Sequence, residues 1–201
     1  MILFTGFEPF GGAEENPSRL ASQEAARLSA AAGRPAVHVE LPCTFAGSRA
    51  ALAAAIEAYR PELILCAGLA EGRERISLER VALNLMDARI PDNAGAQPVD
   101  EPVEPGAPLA LPARMPVKRI KAALEAAGVP TELSLSAGSY VCNTVLYAAL
   151  RLAPEGVPVG FVHVPLAEQM PVATQARALA LIAATVLEDP EELRVPGGAE
   201  Y

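Results

Sequence analysis

The sequence predicts an α/β domain on a largely parallel sheet. Short apolar runs alternate with helical patterns along the chain, and several of those patterns carry recognisable caps. The 201 residues, 51% of them apolar, suffice for one well-buried domain and are short for two. We therefore treat residues 1–201 as a single domain.

Strands are expected at residues 1–4, 37–41, 63–67, 76–85, 132–135 and 160–164. After the first, Asn16-Pro17 supplies a helix cap and a first-turn proline, and Gly33 closes that helix. Thr44 can cap the next helix, in which Phe45, Leu52, Ile56 and Tyr59 share one face and Arg60-Pro61 ends the pattern. Val117, Ile120, Leu124 and Ala127 repeat it, closed by Gly128 and Pro130, and Leu179, Ile182, Ala183 and Val186 mark a last helix. Two stretches break the rhythm. Residues 90–116 carry seven prolines, and so long a loop is usually a lid, an arm or a subunit contact. The acidic tail, residues 188–201, is expected to fray.

Composition excludes several functions. The net charge of −8 repels phosphates and argues against a nucleic-acid partner. No window reaches the roughly 20 apolar residues of a membrane span. The opening Met1-Ile-Leu-Phe-Thr-Gly-Phe-Glu reads as a strand and not as a signal peptide. Three widely spaced cysteines without a CxxC fit a reduced, cytoplasmic protein better than a disulfide framework or a zinc site.

The segment Ser136-Ala-Gly-Ser-Tyr-Val-Cys142-Asn runs from a strand through a small-residue turn into an apolar helix. Cys142 falls near that helix's first turn, where unpaired N–H groups and the helix dipole favour a thiolate and can hold an oxyanion. The plainer alternative is a small core residue. His163, in Gly160-Phe-Val-His-Val-Pro165, ends an apolar strand, where α/β proteins place their sites. It can take a thiol proton and return it to a leaving amine. The other histidine, His38, lies mid-strand and reads as structural or surface-facing. Glu79 sits within an apolar strand, and a carboxylate buried there needs a partner. Orienting an imidazole is one possibility, but a salt bridge to Arg75, Arg80 or Arg89 is the commoner arrangement. Thr5-Gly-Phe-Glu-Pro-Phe-Gly-Gly12 resembles neither GxGxxG nor the P-loop, and Phe7 and Phe10 suggest an apolar binding wall or ordinary core.

Together these segments resemble the pyroglutamyl peptidase I family. The matching stretches, in family order, are Thr5–Gly12 with Asn16-Pro17-Ser18, Ile76-Ser-Leu-Glu-Arg-Val-Ala-Leu-Asn84, Asp87-Ala-Arg-Ile-Pro-Asp-Asn93, Ser136–Asn143 and Phe161-Val-His-Val-Pro165. The resemblance implies a three-layer α/β/α fold with a mixed, mostly parallel central sheet, and a cytoplasmic cysteine peptidase acting on peptides with an N-terminal pyroglutamate. It implies Cys142 as nucleophile, His163 as base and Glu79 as the residue orienting it, with Arg89 and the Cys142 backbone at the oxyanion. Phe7, Phe10, Ile90 and Val141 would line the pyroglutamyl pocket, and Asn16 would steady the first loop. No cofactor or metal is implied, and the family is commonly a tetramer. The chain departs from the family at Gly68-Leu-Ala-Glu-Gly-Arg73, where the usual glutamine is Leu69; Leu69 and Ala70 can then contribute only backbone. The rival readings are a cysteine amidase on another small lactam, a phosphate- or nucleotide-binding α/β protein, and a catalytically silent homologue.

Overall fold

The structure, a computed structural model, describes residues 1–198. Six strands form the central sheet: β1 (Ile2–Phe7), β2 (Ala36–Leu41), β3 (Leu63–Leu69), β4 (Ile76–Glu79), β7 (Thr131–Ser134) and β8 (Val159–Val164). Their order is β2-β1-β3-β8-β4-β7, and all neighbours are parallel except β4 and β8. A strand's side chains alternate between faces, so each buried strand feeds two cores. Ile2, Phe4, Leu63, Leu65, Val162 and Val164 pack under α1 (Pro17–Ala31), α3 (Val117–Ala126) and α5 (Val172–Glu188). Leu3, Ile64, Cys66 and Phe161 pack under α2 (Phe45–Tyr59) and α4 (Val141–Leu152). Two helical layers around one sheet make the three-layer α/β/α architecture.

The caps follow the sequence. Asn16 accepts from the Ser18 N–H at 3.0 Å, and Thr44 Oγ1 accepts from the Gly47 N–H at 3.1 Å. Arg60 closes α2 in the left-handed region, with φ 43°.

One expected strand is divided. Residues 76–85 do not run as a single element, because Arg80 sends its backbone two ways. Its N–H bonds the Ser134 carbonyl at 2.9 Å, and its carbonyl accepts from the Ala113 N–H at 2.9 Å. Beyond it, β5 (Val81–Leu83) pairs antiparallel with β6 (Ala110–Pro112) in a separate two-stranded sheet. Ala82 consequently packs on the α4 side, and not with Ile76 and Leu78 as unbroken alternation had it.

The proline-rich stretch folds back onto this second sheet. The Met86 and Glu101 backbones exchange hydrogen bonds, and Tyr147 of α4 donates to the Pro108 carbonyl at 2.6 Å. Val99 and Leu109 are left 67% and 78% exposed. The acidic tail, expected to fray, is engaged as far as it is described. Pro116 gives α3 no side-chain cap, and the Glu192 carboxylate accepts from the Lys118 and Arg119 N–H groups at 3.0 and 3.1 Å. Residues 199–201 lie outside the described residues. No helix among the described residues is long and apolar enough to cross a membrane.

His38 is half-buried on β2, its Nε2 has no partner, and burial, with Arg19 nearby, pushes its pKa from 6.5 down to about 4. The unfolded chain therefore takes up a proton that the folded chain refuses. The stability this neutral imidazole allows is complete above about pH 6.5 and declines as the pH falls towards 4. Urea midpoints are expected to drop across that window, and His38→Leu to flatten the drop. A variant with the wild-type slope would place the proton uptake elsewhere.

Candidate active site

The site lies on the α4 face of the sheet. On β4, alternation sends Ile76 and Leu78 to the opposite core and leaves two polar residues, Ser77 and Glu79, on this face, both fully buried. Ser77 donates to the Glu132 carboxylate at 2.6 Å. Glu79 faces β8, where His163 Nδ1 lies 2.7 Å from its Oε1. Since the carboxylate can only accept there, Nδ1 carries the proton and Nε2 is the nitrogen left for chemistry. The Phe161 ring, 4.9 Å from the imidazole between centroids, packs beside it.

Glu79 also has an arginine partner, but not one of the three expected. Arg73 Nη1 donates to Oε1 at 2.7 Å, so imidazole orientation and a salt bridge coexist on one oxygen. Burial would raise the Glu79 pKa; the hydrogen bond and charge of His163, then Ser134 and Arg73, outweigh it and hold the carboxyl below its ordinary value. Ser134 acts by proximity, since its hydroxyl donates to the Ser136 carbonyl and Oε2 has no hydrogen-bond partner.

Cys142 occupies the second position of α4, whose N-cap, Tyr140, makes no side-chain cap bond. The early N–H groups of the helix thus have no carbonyl a turn behind them. Asn143 secures this turn by accepting from the Leu83 N–H at 2.8 Å and donating to the Leu83 and Leu85 carbonyls. Gly68 is the register partner of His163 on β3, and a Cβ placed on it would sit 2.8 Å from Cys142 Sγ. The thiol therefore lies over Gly68, the residue paired with His163 on the neighbouring strand.

The expectation of a lowered thiol pKa is not met. The residue keeps some exposure, yet burial of the sulfur, reinforced by Cys43 and Glu79, pushes the thiol well above its ordinary value. Arg73 and the Cys142 backbone N–H pull it down without prevailing. The helix start is visible in sequence; the depth of the sulfur and the nearby anion are not. The helix start alone does not lower this thiol, so forming a thiolate here would call for a base.

An aromatic wall stands beside the thiol. Phe10 packs on Tyr140 at 5.5 Å between centroids, Phe45 meets Tyr140 edge-on at 5.2 Å, and buried Phe7 lies 6.4 Å from Phe161. Phe45 is core, as its helical period implies, and its ring also meets Tyr140, a turn residue that no sequence pattern marks. Val141 is fully buried behind them, and Ile90 is 36% exposed. The segment bearing Arg89 and Ile90 is strapped to the start of α4. Ser139 Oγ donates to the Asp87 carbonyl at 2.7 Å, and the Tyr140 hydroxyl to the Pro91 carbonyl at 3.0 Å. Arg89 is exposed beside it.

Asn16 both caps α1 and steadies the first loop, donating to the Glu8 carbonyl at 3.0 Å. Glu8 in turn accepts from the Cys43 N–H and the Asn93 amide at 2.9 and 2.7 Å. Gly6 serves close packing, because a Cβ there would fall 2.5 Å from the Ser18 carbonyl, and the Phe7 N–H is taken by Ser18 Oγ. Leu69 ends β3. Ala70 donates its N–H to the Val164 carbonyl and accepts from the Arg73 N–H, so it keeps no free backbone donor for a ligand.

Gly68→Ala tests the thiol's placement. Its Cβ would also lie 2.8 Å from Phe161 Cζ, so the sulfur or the ring must move. A displaced thiol is expected to cost roughly 10- to 100-fold in kcat, measured on a pyroglutamyl amide alongside a melting curve. A folded variant with the wild-type rate would show that the thiol tolerates the shift.

A thiol on a helix's first turn, beside an imidazole held by a buried carboxylate on the same sheet, defines a cysteine-type hydrolase. The profile of the family described as pyroglutamyl peptidase matches residues 1–187, and the chain belongs to that family. It is 45% identical over 192 residues to a pyrrolidone-carboxylate peptidase of Gloeobacter violaceus, covering 92% of this chain and 91% of that one. It is 44% identical to the protein of the same name from Streptomyces coelicolor, covering 100% and 99%. Among solved structures, pyroglutamyl peptidase I of Bacillus amyloliquefaciens superposes with a TM-score of 0.89 at 35% identity, covering 97% of this chain and 98% of that one.

Proposed function

We propose that this chain is a pyroglutamyl peptidase of the cysteine type, cleaving the amide bond that follows an N-terminal pyroglutamyl residue. The observation that carries the chemistry is the 2.7 Å contact of His163 Nδ1 with the buried Glu79, at the point of the sheet where Cys142 Sγ comes down on Gly68. Pyroglutamate has no free amine, so a site for it needs an apolar slot and few polar contacts. The wall of Phe7, Phe10, Phe45, Tyr140, Ile90 and Val141 suits the ring.

His163 Nε2 takes the Cys142 proton as Sγ attacks the pyroglutamyl carbonyl. The oxyanion accepts hydrogen bonds from the Cys142 N–H and from Arg89. Collapse breaks the C–N bond, the imidazolium gives its proton to the departing amine, and a thioester remains. A water deprotonated by His163 then attacks the thioester, and the thiolate leaves and recovers that proton. Glu79 keeps the proton on Nδ1 and stabilises the imidazolium.

The three free cysteines support a reducing, cytoplasmic location. Val99 and Leu109, exposed on the proline-rich arm, support a homo-oligomer, a tetramer by family resemblance. Release of a fluorescent amine from pyroglutamyl and prolyl amides, and from amides of other small lactams, tests the substrate. Turnover of the pyroglutamyl amide alone is expected; preference for a different lactam would turn the reading to a related amidase.

A further inference from the structure

We propose that Arg73 is a positioning residue of this site, whose two guanidinium nitrogens hold the Glu79 carboxylate and the loop leading to Cys142 in one fixed arrangement. The inference rests on the roles given above to Glu79, His163 and Cys142. Arg73 Nη1 donates to Glu79 Oε1 at 2.7 Å and Nη2 to the Ser136 carbonyl at 3.0 Å. The first contact fixes the acid beside His163. The second pins the turn six residues before the nucleophile, in which Gly138 takes a left-handed φ of 80°.

The need for such a clamp follows from burial. Glu79 is 0% exposed, its Oε2 has no partner, and Oε1 carries both the imidazole and the guanidinium. A buried carboxylate facing a neutral imidazole would be left without a counter-charge. Among the described residues, Arg73 is the one arginine or lysine that bridges to it. The planar fork serves two acceptors at once, which an ammonium does less well.

The same cation acts on the thiol. Besides burial, the Glu79 carboxylate feels His163, Ser134 and Arg73, and the Cys142 thiol feels Cys43, Glu79 and Arg73. In both sets Arg73 is the cation of fixed charge, and in both it favours the anion. Its loss moves the carboxylate and the thiol upward together, a signature that loss of a packing contact does not give.

The test compares Arg73→Gln with Arg73→Lys. Turnover of a pyroglutamyl amide is followed against pH, and so is the rate at which iodoacetamide alkylates Cys142, read by peptide mass. The Gln form is expected to lose roughly 10- to 100-fold in kcat with little change in KM. The acid limb of kcat/KM and the alkylation profile should both move up by about one pH unit. The Lys form should keep both near their wild-type positions while losing part of kcat. Arg73→Met, which retains the apolar stem, replaces the Gln form if that form melts below the assay temperature. A folded, uncharged variant with unmoved profiles overturns the proposal. So does failure of both uncharged forms to fold while the Lys form folds, since Arg73 would then be structural. Alkylation needs no substrate, so a wrong substrate assignment would silence turnover and leave this readout intact.

Discussion

Replacing Cys142 by serine is expected to lower kcat on a pyroglutamyl amide by about 10⁴-fold or more, with KM little changed. The effect is large because the geometry supports no second nucleophile. Cys43 and Cys66 are buried, at 8% and 0% exposure, and cannot meet a substrate, whereas Cys142 keeps some exposure. A serine hydroxyl is a far weaker acid than a cysteine thiol, so the imidazole has a harder proton to take. Binding should survive, because the aromatic wall and the N–H groups of α4 are untouched. A Ser variant turning over within tenfold of wild type would remove Cys142 from the mechanism.

Glu79→Gln is expected to cost roughly 10³-fold in kcat. Oε1 accepts from both His163 Nδ1 and Arg73 Nη1. An amide cannot replace it. If its oxygen faces His163, the negative charge that steadies the imidazolium is gone; if its NH₂ does, Nδ1 must be unprotonated and the proton moves to the nitrogen needed as base. Arg73 loses its counter-charge in either case. Stability should respond to pH in a defined direction. The folded carboxyl titrates below its unfolded value, so its contribution is complete above the ordinary carboxylate range and is lost as the pH falls through the folded pKa. Above that range the Gln variant is expected to melt earlier than wild type, and in acid the gap should narrow. A gap that widened in acid would contradict the lowered carboxyl.

Much of the fold was legible because periodicity and caps report local choices. The helix openings at Asn16, Thr44 and the turn before Cys142 fall where the sequence put them. What was hidden depends on partners distant in the chain. The alternation of residues 76–85 is real on both sides of Arg80, but it does not reveal that the chain leaves one sheet for another there. That β4 runs antiparallel to β8 and parallel to β7 depends on pairing across long separations. The site divides in the same way. Cys142 and His163 stood out by position, at a helix start and a strand end. Glu79 stood out as a charge in an apolar run, but pattern alone favoured a salt bridge with another arginine. Arg73 lies outside the strand and reaches Glu79 through a long side chain, which no spacing rule exposes. The raised thiol shows the opposite failure: a local rule about helix starts held, and burial outweighed it.

The measurement that bears most directly on the central claim is alkylation followed site by site. The protein is treated with limiting iodoacetamide, and at each time residual turnover of a pyroglutamyl amide is compared with carboxamidomethylation of each cysteine by peptide mass. Turnover is expected to fall in one-to-one proportion to modification of Cys142, while Cys43 and Cys66 stay unmodified. Full turnover with Cys142 fully alkylated, or loss that follows another cysteine, would contradict a thiol mechanism at Cys142.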